Sequence, residues 1–222
     1  MDIMQAMKAR HSVRQYEEKP LSAEQIAALE EEIELCNKES GLHIQLIKNE
    51  PRAFGSFMAH YGSFKGVTNY FALIGKKDDP DLDEKCGYYG ERLVLLAQQL
   101  GLNTCWVALT YKKIPEVMDI APDEKLVIVI SLGYGATQGV PHRSKPLAAL
   151  GAYEGEAPAW FQNGMQAALL APTAVNQQKF FLSGKGGSVS TSVKAGPCNM
   201  IDLGIVKYHF ELGAGKENFS WS

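Results

Sequence analysis

The chain has 222 residues, 45% hydrophobic and 21% charged, with a formal net charge of −3 and a pI near 6.0. These proportions exclude a largely disordered chain. The length suits one domain, 1–222, or one domain built from two related halves, and it can bury about 70% of its unfolded surface without disulfides or metal. The acidic balance argues against nucleic acid, which selects a basic face. The longest apolar run, Leu126 to Leu132, is too short for a bilayer. No cationic start leads into an apolar stretch, so a cytoplasmic protein with no membrane partner is expected.

Asp2 to Ala9 reads as a short helix with Ile3 and Met7 on one face, followed directly by the R-H-S-V-R run. Ser22 can cap a second helix, with Gln25 completing the capping box and Leu21 against Ile26 as the staple. Its apolar stripe is Ile26, Leu29, Ile33 and Cys36. Leu42 to Lys48 alternates, with Leu42, Ile44 and Leu46 on one face, and predicts a half-buried strand; Tyr70 to Ile74 predicts another. Asp81 and Glu84 mark a further capping box. The helix behind them runs to Leu100 and stops at Gly101. Its segment Leu93 to Ala97 is apolar nearly all round, which predicts a central, buried helix. Thr104 to Leu109 and Lys125 to Leu132 read as strands, the second apolar on both faces and therefore interior. Residues 133–146 form a loop rich in Gly and cations. Trp160 to Ala171 is a helix halted by Pro172. Gln178 to Leu182 and Ser188 to Val193 form a hairpin around Gly184, Gly186 and Gly187, and a last helix spans Asn199 to Leu212. A faint echo links Gly90–Trp106 with Gly204–Trp221, and Met4-Gln5-Ala6 with Met165-Gln166-Ala167, which suggests halves near 1–150 and 151–222.

The four cysteines, Cys36, Cys86, Cys105 and Cys198, make no C-x-x-C pair and no zinc spacing with His11, His43, His60, His142 or His209. Reduced thiols and no metal site are expected.

Three separated segments carry chemistry. Arg10, Ser12 and Arg14 put two guanidinium groups and a hydroxyl within five residues, which suits an oxyanion such as a phosphate monoester. His142, Arg143, Ser144 and Lys145 repeat the theme in the cationic loop. Pro172, Thr173, Ala174, Val175, Asn176, Gln177 and Gln178 offer amides that both donate and accept, as the edge of a pyrimidine ring requires. A fourth stretch, Gly101 to Ala108, follows the buried helix, and its small residues let backbone N–H groups approach a flat molecule. Read singly, each segment is equally a solvated basic turn or a helix-stop turn.

Together these pieces resemble the nitroreductase family of FMN-dependent oxidoreductases. R-x-S-x-R resembles its phosphate motif, G-L-x-T-C-W its segment beneath the flavin N5, the R-S-K loop its second phosphate contact, and A-P-T-A-x-N-x-Q its P-S-x-x-N-x-Q motif. That last motif usually follows soon after R-x-S-x-R. Here it lies far downstream, and the usual Q-P-W is Gln178-Lys179-Phe180, so the chain is similar to a rearranged branch of bacterial nitroreductases. The resemblance implies an α+β fold with a central, mostly antiparallel sheet flanked by helices. It implies FMN held at the phosphate by Arg10, Ser12, Arg143 and Lys145, with His11 in the same turn. It implies Arg14 at the pyrimidine edge, Thr173, Asn176 and Gln178 beside Pro172 bonding ring or ribityl atoms, and the backbone of Val107, Ala108 and Leu109 facing N5. It also implies a homodimer with FMN at the subunit interface, neither subunit alone completing the pocket, that takes electrons from NAD(P)H and passes them, ping-pong, to a small aromatic, quinone or nitro acceptor. Two other readings stay open. One is a non-catalytic FMN carrier or sensor whose ring is covered by Trp106, Phe180 or Phe181. The other is a cysteine-nucleophile enzyme built on Cys105 or on Cys198 at a helix start.

Overall fold

The computed structural model describes every residue except 56 and 58–60, so His60 lies outside the described residues. Its strands form two four-stranded sheets. The first takes β1 (Gln45–Ile47), β2 (Asn69–Lys76), β3 (Asn103–Val107) and β4 (Glu124–Gly133) in the order β1-β2-β4-β3, all antiparallel. The second takes β5 (Gly151–Tyr153), β6 (Phe180–Lys185), β7 (Ser188–Val193) and β8 (Ser220–Trp221) in chain order. There β6 and β7 form a hairpin closed at Gly186 (φ +55) and Gly187, while β5 and β8 add in parallel at the edges. Among the described residues the helices are α1 (Ile3–Ala9), α2 (Ala23–Ser40), α3 (Leu82–Gln99), α4 (Ala159–Ala168) and α5 (Asn199–Ala214).

Strands β2 and β4 are apolar on both faces because both faces are covered. Phe71, Leu73, Ile128 and Ile130 enter the main core, and Tyr70, Ala72, Ile74 and Val129 enter a second core with Phe54 and Phe64. The interior position expected for β4 is therefore what the structure has. The main core continues through Leu93 and Val94 of α3 and Ile205, Val206 and Phe210 of α5 to Leu182 and Val189 of the second sheet. Helices α3 and α5 cross with backbones in contact. A Cβ on Gly87 would collide with the Ile201 carbonyl, and one on Gly204 with the Glu84 carbonyl and the Tyr88 amide. Each of these helices is followed by a strand that carries a tryptophan, Trp106 in β3 and Trp221 in β8.

The Ser22–Gln25 capping box forms, and Asp2–Gln5 makes another. The box expected at Asp81 and Glu84 does not. Asp81 makes no side-chain cap, Asp79 accepts from its amide instead, and the Glu84 carboxylate is taken by Lys207 of α5. The expected strand 42–48 shortens to three residues, strand 104–109 ends at Val107, and helix 160–171 ends at Ala168, where the chain turns before Pro172. No described helix is long and apolar enough to cross a membrane, and no cluster of three metal-ligating side chains occurs among the described residues.

Candidate functional site

Directly after α1 the chain runs beside β3. Ser12 bridges Thr104 in parallel, and the Val13 amide donates to the Thr104 carbonyl (3.0 Å). The Tyr16 hydroxyl fastens the turn by donating to the Val13 carbonyl (2.7 Å), with Ser131 Oγ 2.8 Å away. This placement sets Ser12 and Arg14 on the wall of a cavity of about 470 Å³, a size usual for small-molecule sites. Ala108 and Leu109, just past β3, also line it, as do Pro172, Thr173 and Val175 from the segment after α4. Both parts of one chain thus build the cavity.

Arg10, two residues before Ser12, lies near the cavity-lining Cys105. It is buried (3% exposed), its Nε has no hydrogen-bond partner, and Glu91 Oε1 of α3 stands 3.7 Å from it. Burial lowers the Arg10 pKa, and the Glu91 charge works against that. His11 and His142 are close enough to Arg10 to feel its charge, and burial, together with that repulsion, lowers both imidazoles. The Glu91 carboxylate is itself fully buried. Its Oε2 accepts from Trp106 Nε1 (2.9 Å) and its Oε1 lies 2.9 Å from His209 Nε2. The Nδ1–H of His209 donates to the Ala167 carbonyl (3.2 Å), the only role open to a ring nitrogen facing a carbonyl.

The loop 172–178 is strained. Val175 (φ +47), Asn176 (φ +53) and Gln178 (φ +43) all occupy the left-handed region, which costs a non-glycine residue on the order of 1–3 kcal/mol. Val175 is 89% exposed, so burial of its side chain does not offset the strain. Hydrogen bonds do. Asp202, in the first turn of α5, accepts from the Ala174 amide (2.9 Å) and from Gln177 Nε2 (2.7 Å). On the other side the loop meets the cationic segment. Asn176 Nδ2 and Gln178 Nε2 donate to the Arg143 carbonyl (3.0 Å each), and the Lys145 amide donates to Gln178 Oε1 (2.8 Å). Lys145 Nζ donates to the carbonyls of Gln177 (2.7 Å) and Gln178 (3.0 Å). The amides of Asn176 and Gln178 are therefore spent on the 143–145 backbone, and Gln178 is buried. Arg143 is exposed, and neither it nor Lys145 lines the cavity; nor does Val107, which is buried.

Sequence reasoning missed Asp202, His142 as a neighbour of Arg10, and the apolar wall from Ile128, Ile201 and Ile205. Asp202 lies in the first turn of the last helix and carried no motif. It lines the cavity, and burial pushes its carboxyl up to about 6 despite the donors from Gln177 and Ala174. Cys105 and Cys198 line the cavity as well, but burial raises both thiols, and Asp202 and Asp83 add to the effect at Cys198. Neither is poised as a thiolate. Trp106 also lines the cavity, whereas Phe180 sits in the core.

A family model described as "Putative TM nitroreductase" matches residues 2–214. A crystal structure of a putative nitroreductase from Thermotoga maritima is similar over 98% of this chain and 85% of that one, with TM-score 0.69 and 23% identity. A putative nitroreductase in complex with FMN from Desulfovibrio desulfuricans matches 67% of this chain and 94% of its own, with TM-score 0.52 and 19% identity. A putative NADH dehydrogenase/NAD(P)H nitroreductase from Bacteroides thetaiotaomicron matches 67% and 95%, with TM-score 0.53 and 16% identity. At these identities the structures speak for a shared fold, the mixed helix-and-sheet class expected from the sequence. No curated protein matches. Because the family model spans all but the two ends of a chain whose Ser12, Arg14 and Thr173 meet at one cavity, the chain belongs to this nitroreductase family.

Proposed function

We propose that the protein is an FMN-dependent oxidoreductase that takes two electrons from NAD(P)H and passes them to a small aromatic, quinone or nitro compound. The observation that carries this reading is the meeting of Ser12, Arg14 and Thr173 on one cavity, with the buried guanidinium of Arg10, whose Nε lacks a protein partner, near the cavity-lining Cys105. Such a donor set fits a phosphorylated, planar cofactor: charged donors for the ester, an apolar slot for the ring. The FMN complex of the Desulfovibrio relative and the name of the Bacteroides relative support the choice of cofactor and electron donor.

When bound, FMN would supply the hydride and electron chemistry that side chains lack. Arg10, His11 and Ser12 would hold its phosphate, with His142 beside them and Arg143 reaching in from the exposed loop. Lys145, already satisfied by two carbonyls, would join Asn176 and Gln178 in bracing the loop that presents Pro172 and Thr173 to the ring. Arg14 would favour negative charge at the pyrimidine edge, and the backbone of Val107 to Leu109 would line the reactive edge. The exposed Leu109 and Val175 leave an apolar rim for a flat donor and a flat acceptor in turn, which supports ping-pong kinetics. One chain brings both groups of lining residues together, so this reading needs no second copy to complete the site. The homodimer implied by the resemblance is a separate proposal, decided by light scattering.

The test is the absorption spectrum of the purified protein after incubation with FMN, then anaerobic titration with NADH and NADPH. A bound flavin that bleaches supports the oxidoreductase. A protein that stays colourless refutes it. A bound flavin that neither nucleotide bleaches would favour the carrier reading, to which Trp106 on the cavity wall lends itself.

A further inference from the structure

The Arg10–Glu91 pair is the least explained feature near the cavity. A guanidinium that is 3% exposed needs a compensating charge, because an uncompensated buried ion is strongly destabilising. The Glu91 carboxylate is the opposite charge beside it, at 3.7 Å, beyond hydrogen-bond range. Glu91 therefore does not aim Arg10 by a hydrogen bond, and it acts through charge. Nor is it free to leave. Trp106 from β3 holds one oxygen and His209 from α5 faces the other, so both parts of the chain fix the carboxylate in place. Other ionisable groups stand near the pair: His209, whose Nε2 lies 2.9 Å from Glu91 Oε1, so that Glu91 is shared between His209 and Arg10; Cys105, whose thiol burial raises; and His11 and His142, whose imidazoles burial lowers, so that these last three add little competing positive charge.

We propose that Glu91 is a positioning residue acting through Arg10. It is the resident counter-ion that keeps Arg10 buried before a phosphorylated ligand arrives, and by sharing that guanidinium it limits how strongly the protein prefers a phosphorylated flavin to an unphosphorylated one. This inference rests on the FMN reading above. The incoming phosphate and the fixed carboxylate draw on the same cation and repel each other across it. Removing the carboxylate's charge should thus leave Arg10 short of a partner in the empty protein and more dependent on the phosphate.

The test is Glu91→Gln, which keeps shape and removes charge. FMN and riboflavin are each titrated into the apoprotein by flavin fluorescence, and thermal unfolding is followed with and without each. The expected result is a rise of at least fivefold in the ratio of riboflavin to FMN dissociation constants. The unfolding midpoint of the empty variant falls, and FMN, but not riboflavin, restores most of it. An unchanged or lowered ratio overturns the inference and leaves Glu91 a packing residue. If the variant does not fold when empty, refolding is attempted with each flavin. Recovery with FMN alone supports the inference, and recovery with both or with neither overturns it. Wild-type protein that binds neither flavin would instead sink the cofactor reading itself.

Discussion

Replacing Asp202 by alanine separates the strained loop from its anchor. Two hydrogen bonds into this carboxylate, from the Ala174 amide and Gln177 Nε2, are lost, each worth about 1.5–3 kcal/mol. Against this stands relief from burying the charge. The carboxyl rises from 3.8 to about 6, a difference of about 2 pH units, or about 3 kcal/mol at neutral pH. The two bonds together are worth about 3–6 kcal/mol, so relief offsets at least half of the loss, and the variant should melt no more than about 12 °C below wild type. The loop does not share that compensation. Val175, Asn176 and Gln178 keep their left-handed strain, on the order of 1–3 kcal/mol each, and lose one of the two sides that enforce it. Binding a flavin must then reorder the loop, and FMN affinity should fall by roughly 10- to 100-fold, at about 1.4 kcal/mol per tenfold. Fluorescence titration of the apoprotein, with a melt as control, measures both quantities. An affinity within twofold of wild type, with an intact melt, would refute the link between this loop and the site.

The same carboxyl makes stability depend on pH in a defined direction. Because its folded-state value lies above its unfolded one, the folded state binds the proton more tightly. The penalty is complete above about 6 and fades as pH falls toward 3.8, so this group adds stability on going from pH 7 to 5. Asp202→Asn should flatten that rise, seen in denaturant midpoints at the two pH values. Gly204→Ala places a methyl against the Glu84 carbonyl and Tyr88 amide, backbone that cannot step aside. A loss of about 4 kcal/mol or more, or failure to fold, is expected from chemical denaturation. Arg14→Ala should weaken FMN binding about tenfold or more by removing a charged donor from the cavity wall, with little change in melting. Cys105 and Cys198, both raised by burial, should react slowly with a thiol reagent at pH 8, and rapid loss of activity on alkylation would revive the cysteine-nucleophile reading.

Much of the architecture was legible where one local rule dominates. The Ser22–Gln25 box, the doubly apolar β4 and the Gly-rich hairpin each carry a strong short-range signal, and each forms. The edge strands β5 and β8 have three and two residues, too few to show a period, and they exist only because a sheet edge is there to receive them. The Asp81 box failed for a tertiary reason: Lys207, far along the chain, takes the Glu84 carboxylate. At the site, clustered cations pointed to Ser12 and Arg14, which line the cavity, and to Lys145, whose ammonium donates to two backbone carbonyls of the 172–178 loop. Asp202 was invisible because its meaning comes from the loop it faces, not from its neighbours in α5.

Strand β5 follows the last strand of the first sheet, yet it pairs with β6 of the second, parallel, with Gly151 beside Leu182. The chain therefore hands its middle across to the later sheet before that sheet's other strands are made. A ribosome that has released only residues 1–150 has no complete apolar interior to offer, since α3 still lacks the face of α5 that covers Gly87. The main core draws on residues from both sides of residue 150. Fragments made on either side of residue 150 should be insoluble alone and recover structure only when mixed.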